Sequence, residues 1–196
     1  MHSNHYTVCL DACTLVPVLK RNLLLTLAKG KMFRAIWSEE ILAETERGIS
    51  RLFAEHGKPD PETAAKRQVH RIRMAFEQAL VDGYDILDPS LQALPDPNDR
   101  HVVAAAVRGN AAAIITDNLK HFPAEVLDGF DIQVVSSDAF IADTIELDHR
   151  MAAGLIFEMR QRLRNPPLSP DELIVTVRAR NMPETAGVLG EIIQFI

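Results

Sequence analysis

Four acids in this chain stand where a carboxylate can do more than keep a surface soluble. Asp11 ends the apolar run TVCL, and Asp117 ends the apolar run IIT. Asp99 opens the Ala-rich stretch RHVVAAAV, and Glu44 lies in EEILAETERG near the apolar edge of a helical pattern. Carboxylates held close together repel, and some protonate unless a cation neutralises them. Mg2+ takes oxygen ligands, one or two of them carboxylates, and keeps several waters. A bound divalent ion can activate a water and stabilise charge developing on a phosphate. Asp11, Glu44, Asp99 and Asp117 therefore suit metal-dependent hydrolysis of a phosphodiester. Spacing alone carries this only so far. Acids at helix starts also answer the helix dipole, and a mid-helix Glu is usually solvated. Asp96 reads as turn chemistry in Asp-Pro-Asn. Thr116 is placed to orient a carboxylate through its hydroxyl, and His101 reads as structural or exposed.

The elements that must position these acids follow from periodicity. Residues 6–10 read as a buried strand ending at Asp11, and residues 12–27 as one helical segment with Pro17 near its start. Residues 33–37 fit a short strand or loop. Ser38 is a good N-cap, with Glu39 and Glu40 at the positive end of the helix that follows. Ile41, Leu42, Thr45 and Ile49 keep helical spacing on its core side. A loop is expected over residues 52–60, and a long helix from Pro61 through residue 80. That helix carries Lys66, Arg67, His70, Arg71 and Arg73, the densest basic cluster in the chain. A charge run is most often a solvated face, yet Arg67 and Arg71 are also the first candidates for a phosphate-contacting edge. Strands are expected over residues 84–87, 111–116 and 132–135. Strands alternating with helices indicate an α/β fold with a mostly parallel sheet. Ligands of such sheets sit outside the carboxyl ends of the strands. Asp11 and Asp117 occupy that kind of position.

The character changes after Ser136. Asp138 is placed to cap an amphipathic helix running from Phe140 to Leu163 and ending in Arg160, Arg162 and Arg164. Asn165-Pro166-Pro167 breaks it. Ser169-Pro170-Asp171-Glu172 and Met182-Pro183-Glu184 start two more helices. Three apolar helical patterns within residues 137–196 need cover, on the preceding domain, on a second copy in a homodimer, or on a partner. The expected division is residues 1–136 and residues 137–196.

The whole chain sets bounds on the function. Its 196 residues fit one sizeable domain with a helical appendage. Apolar content of 47% and charged content of 24% are those of a soluble globular protein. A net charge of -6 argues against broad nucleic-acid binding but leaves room for a local basic groove. Cys9 and Cys13 are the only cysteines, too few for a disulfide framework and poorly spaced for zinc. Buried reduced thiols, no signal peptide and no apolar run long enough for a bilayer make a cytoplasmic protein the expectation.

With these residues in view, the chain resembles the PIN-domain nucleases. The stretches that carry the likeness are VCLDACTLVP around Asp11, WSEEILAETERG around Glu44, DPNDRHVVAAA around Asp99, and IITDNLKHFP around Asp117 and Asn118. They span about residues 6–136, in the family's order. The version with SEEIL and DPNDRHVVAAA is similar to bacterial toxins of the VapC type, some of which carry a helical C-terminal extension. The resemblance implies a three-layer α/β/α fold and Mg2+- or Mn2+-dependent cleavage of RNA. It also implies a metal cage of Asp11, Glu44 and Asp99, and neutralisation by a small cognate antitoxin. One departure stands out. The family's fourth acid lies two residues after the Thr, or in a slightly later Asp-Phe pair. Those places hold Asn118 and His121, and the acid directly follows Thr116 instead. Either Asp117 takes the role, or Asn118 binds a metal-bound water.

Two other readings compete. Asp11-Ala12-Cys13-Thr14 is similar to the nucleophile loop of haloacid-dehalogenase-type phosphatases, but Cys13 stands where that chemistry needs a second Asp. A non-catalytic binding module would keep the fold and use the acids to hold an ion or partner. No Ser-His-Asp set with a nucleophile elbow and no Gly-rich phosphate loop is present.

Overall fold

The computed structural model describes residues 6–84, 89–164 and 166–196. In chain order its elements are β1 (Thr7–Leu10), α1 (Ala12–Leu15), α2 (Val18–Lys29), β2 (Arg34–Ile36), α3 (Glu39–Glu55), α4 (Pro61–Ala75) and α5 (Arg100–Arg108). They continue with β3 (Ala113–Ile115), α6 (Ala124–Leu127), β4 (Gln133–Val135), α7 (Ser137–Leu147), α8 (His149–Gln161), α9 (Pro170–Ala179) and α10 (Pro183–Glu191), with short 3-10 turns between some of them. No helix among the described residues is long and apolar enough to cross a membrane. Among the described residues the chain packs as two compact units: residues 6–18 with 34–136, and residues 19–33 with 137–196.

The first unit is built on a four-stranded sheet in the order β2-β1-β3-β4, every pair parallel. A parallel sheet is covered on both faces, so its strands read as unbroken apolar runs. Val8, Cys9, Leu10, Ile114 and Ile115 accordingly have no exposed surface. Each such aliphatic side chain contributes about 2 kcal/mol by leaving water. From β1 the chain goes to β2 on one side and later returns to β3 on the other. β1 and β3 therefore flank the point where the strand order reverses, and ligands of such sheets bind at that point, outside the carboxyl ends. Val102, Val103, Ala105 and Ala106 bury one face of α5, which packs on β1 and β3. The small alanines let that helix approach the sheet closely.

Several local expectations change. Residues 12–27 are not one helix. Pro17 has no N–H to give to the turn before it, so the chain bends there and restarts as α2. α3 runs on through Glu55, beyond the expected loop start, because no residue breaks it before Gly57. That glycine turns the chain out at φ +66°. α4 stops at Ala75, where Phe76 leaves helical geometry and meets Trp37 edge-on at 5.6 Å. The strand expected over residues 84–87 falls almost wholly outside the described residues.

The second unit holds α2 and the C-terminal helices. Phe33 meets Phe140 edge-on at 4.8 Å. Gly30 lies against Leu155 so closely that a Cβ there would stand 2.2 Å from a leucine methyl. The long helix expected from Phe140 to Leu163 is two helices, with Asp148 capping the second by accepting from Met151 N at 2.9 Å. Asp138 does not cap its own helix. Its carboxylate accepts from Glu184 N at 3.0 Å and Thr185 N at 2.8 Å, capping α10. Ser169 and Glu172 form a reciprocal capping box at the start of α9.

Candidate functional site

The site grows from the ends of β1 and β3. Asp11 continues the β1 ladder, its N–H donating to Ile115 O at 3.1 Å. That pairing places its side chain beside Thr116, the first residue past β3. Asp11 is only 4% exposed. Thr116 Oγ1 donates to Asp11 Oδ2 at 2.7 Å, and Cys13 Sγ donates to the same oxygen at 3.0 Å. Both bonds fall on Oδ2, which leaves Oδ1 for another partner. Thr116 Oγ1 also accepts from Asn118 N at 3.0 Å. One hydroxyl thus ties the Asp11 carboxylate to the loop after β3. Cys13 Sγ accepts from Asp117 N at 3.3 Å, closing the same corner.

Asp99 enters from the mouth of α5. It stands at the helix N-terminus, yet it makes no side-chain capping bond and its backbone is helical. The cap of the preceding turn is Asp96, which accepts from Asn98 N at 2.9 Å. What Asp99 does meet is His121, whose Nδ1 lies 2.9 Å from Asp99 Oδ2. Burial pushes the Asp99 carboxyl above its ordinary value; the His121 hydrogen bond and charge pull it down, and the charges of Asp11 and Asp96 push it up again. Asp96, Asp99 and His121 each offer a ligand atom within 4.8 Å of the other two, the only such group of three among the described residues.

Glu44 comes from the second turn of α3, which Ser38 starts by accepting from Ile41 N at 3.2 Å. Its Oε1 lies 3.4 Å from His101 Nε2 and 3.7 Å from Arg47 Nη2. The His101 side chain is 11% exposed, and neither ring nitrogen makes a hydrogen bond. The ring stands near the carboxylate but out of line with it.

The structure thus joins Asp11 to Thr116, and Asp99 to Asp96 and His121. Asp11, Glu44 and Asp117 do not come within the same 4.8 Å group. Asp117 and Asn118 are exposed, and both enter the corner through backbone N–H groups. Arg67 and Arg71 lie exposed on α4, which packs on α3. Sequence reasoning missed the partners His121, His101 and Cys13. The signal for His121 was its place, directly before a buried Phe122 where the resembling family has an acid.

Asp96, Asp99 and His121, two carboxylates and an imidazole within 4.8 Å of one another, make a donor set that suits a divalent cation. Residues 7–120 match the sequence profile of the PIN domain, and the chain belongs to that family. Residues 137–191 match the VapC50 C-terminal domain. A 76-residue stretch is 40% identical to a Mycobacterium tuberculosis protein named "Putative ribonuclease VapC50", covering 39% of this chain and 45% of that one. The match thus spans less than half the length of that relative. No solved structure matches the chain.

Proposed function

We propose that this chain is a ribonuclease dependent on Mg2+ or Mn2+, and the toxin of a toxin–antitoxin pair. The observation that carries the reading is the group of Asp96, Asp99 and His121, whose ligand atoms lie within 4.8 Å of one another at the mouth of α5. Burial raises the Asp99 carboxyl, and the charges of Asp11 and Asp96 add to the rise. A fold gains nothing from such repulsion unless a cation relieves it. Family membership and the relative's name point the same way.

In this reading Asp11, Glu44 and Asp99 hold the metal, with Asp117 or Asn118 supplying the fourth position. The ion, when bound, would polarise a phosphoryl oxygen and lower the pKa of a water. The Thr116 hydroxyl fixes Asp11 Oδ2, so that Oδ1 is presented in one direction. His121 steadies Asp99, and His101 stands ready to pair with Glu44. Arg67 and Arg71 guide the RNA backbone to these acids. In sequence, residues 1–136 carry the nuclease domain and residues 137–196 are a helical extension, which packs with Leu19–Phe33. The extension's exposed apolar residues Leu147, Met151, Phe157 and Val175 offer a surface for a small antitoxin or a second copy. The RNA and the antitoxin place its action in the cytoplasm.

The test is cleavage of a defined RNA by the purified protein in EDTA, Mg2+ and Mn2+, beside Asp11→Asn protein prepared identically. Cleavage that needs the metal and vanishes in the variant supports the proposal. Cleavage indifferent to EDTA overturns it. Metal binding without cleavage would favour the binding module.

A further inference from the structure

We propose that His121 is a metal ligand, giving this centre a nitrogen donor and a preference for Mn2+ or another transition ion over Mg2+. The inference rests on the reading of the site as a metal centre.

Geometry carries it first. Two neighbouring donors each about 2.1 Å from one ion stand ~3.0 Å apart, and two opposite donors ~4.2 Å. His121 Nδ1 and Asp99 Oδ2 are 2.9 Å apart, and Asp96 offers an oxygen within 4.8 Å of both. Without an ion that spacing is a hydrogen bond; with one it is the edge of a coordination shell. The ring is also held in place. His121 N donates to Asn118 O at 2.9 Å, Asn118 N donates to Thr116 Oγ1, and Phe122 beside it is 2% exposed. The imidazole itself is 30% exposed, so an ion from solvent can reach it.

Donor chemistry sets the preference. Mg2+ favours all-oxygen shells and gives up water reluctantly, whereas imidazole suits transition ions. A neutral imidazole also adds no negative charge to a corner that already holds Asp11, Asp96 and Asp99. It binds without adding to the repulsion there, and it offers a hard ion less than a carboxylate would.

The full chain, loaded with Mn2+ alone, should show 14N coupling in pulsed electron paramagnetic resonance. The coupling should be lost in His121→Asp. Competition calorimetry should show the Mn2+-over-Mg2+ preference falling roughly tenfold or more in that variant. Mn2+ bound to the wild type without nitrogen coupling would overturn the inference and leave the metal centre standing. His121 would then only position Asp99. Coupling that survives in His121→Asp overturns it as well, because the nitrogen comes from elsewhere. No Mn2+ binding at all would overturn both this inference and the proposed function. The wild-type spectrum needs no variant, so a misfolded His121→Asp leaves the test intact.

Discussion

Two buried aspartates, one in each compact unit, are held in different ways. Asp138, 8% exposed, gives one oxygen to Glu184 N and the other to Thr185 N, and through them starts α10. Asp11, 4% exposed, receives the Thr116 hydroxyl and the Cys13 thiol on a single oxygen, and its charge acts on a second acid. Both residues begin or precede a helix, and both are flanked by apolar sequence. Partner type separates them. An acid whose two oxygens are taken by amide donors is finished as it stands. An acid with one oxygen fixed and another acid nearby is arranged for a ligand.

The largest expected effect tests the unfinished acid. Asp11→Asn keeps the shape and removes the charge, and Asp99→Asn does the same across the site. Each should lower RNA cleavage by about 10^3-fold or more, the scale seen when a preorganised electrostatic partner is lost. Initial rates on a defined RNA check this, and retention of a tenth of the wild-type rate in either variant would break the contrast. Asp138→Ala should act oppositely. It orphans two N–H groups at the start of α10 and should cost about 2–3 kcal/mol of stability. Denaturant melts measure the loss, while the folded fraction should cleave within tenfold of wild type.

How far the sequence reveals this contrast depends on the range of the contacts. The strand ends were legible, because a buried apolar run followed by Asp shows where β1 stops. So was Asp99 before its Ala-rich helix. The role of Asp138 was not legible. Its partners lie 46 and 47 residues away, and from the sequence it looks like a cap for its own helix. His121 was hidden for the same reason, being 22 residues from Asp99. The break between α7 and α8 was written more locally. Asp148 accepts from Met151 N, a capping signal masked by the apolar pattern that continues through both helices.

A smaller effect concerns stability without metal. Burial, with the charges of Asp11 and Asp96, holds the Asp99 carboxyl above its ordinary 3.8, against the pull of His121. A carboxyl raised in the folded state favours folding only while protonated. That contribution is full below the ordinary value and is lost as pH rises through the raised one. At pH 7 the charge on Asp99 is therefore a net cost. Asp99→Asn should melt higher than wild type in EDTA at pH 7, and the difference should shrink as pH falls toward 4. Millimolar Mn2+ should raise the wild-type melting temperature by mass action and the variant's much less. A variant that melts lower in EDTA, with no metal response in the wild type, would make Asp99 an ordinary helix cap. The missing capping bond already speaks against that.

The smallest effect is chemical, and it reads the Asp11 corner directly. Burial pushes the Cys13 thiol up to about 12, with the Asp11 charge next and the Asp11 hydrogen bond adding to it. Only the thiolate attacks an alkylating reagent, so at pH 8 a thiol near 12 is about one part in 10^4 reactive. Folded wild-type protein should therefore label very slowly with iodoacetamide at pH 8, and faster by roughly tenfold per pH unit above it. Asp11→Asn removes the charge that opposes the thiolate, so Cys13 should label faster in that variant at the same pH. A cation bound beside Asp11 would offset the same charge, so Mn2+ should speed labelling of the wild type and leave Asp11→Asn unchanged. Peptide mapping separates Cys13 from Cys9, which has no exposed surface and serves as the internal reference for intact folding. If Cys13 labels at the same slow rate in wild type, variant and Mn2+, burial alone governs the thiol. The corner would then be finished in the manner of Asp138, with no oxygen kept for an ion.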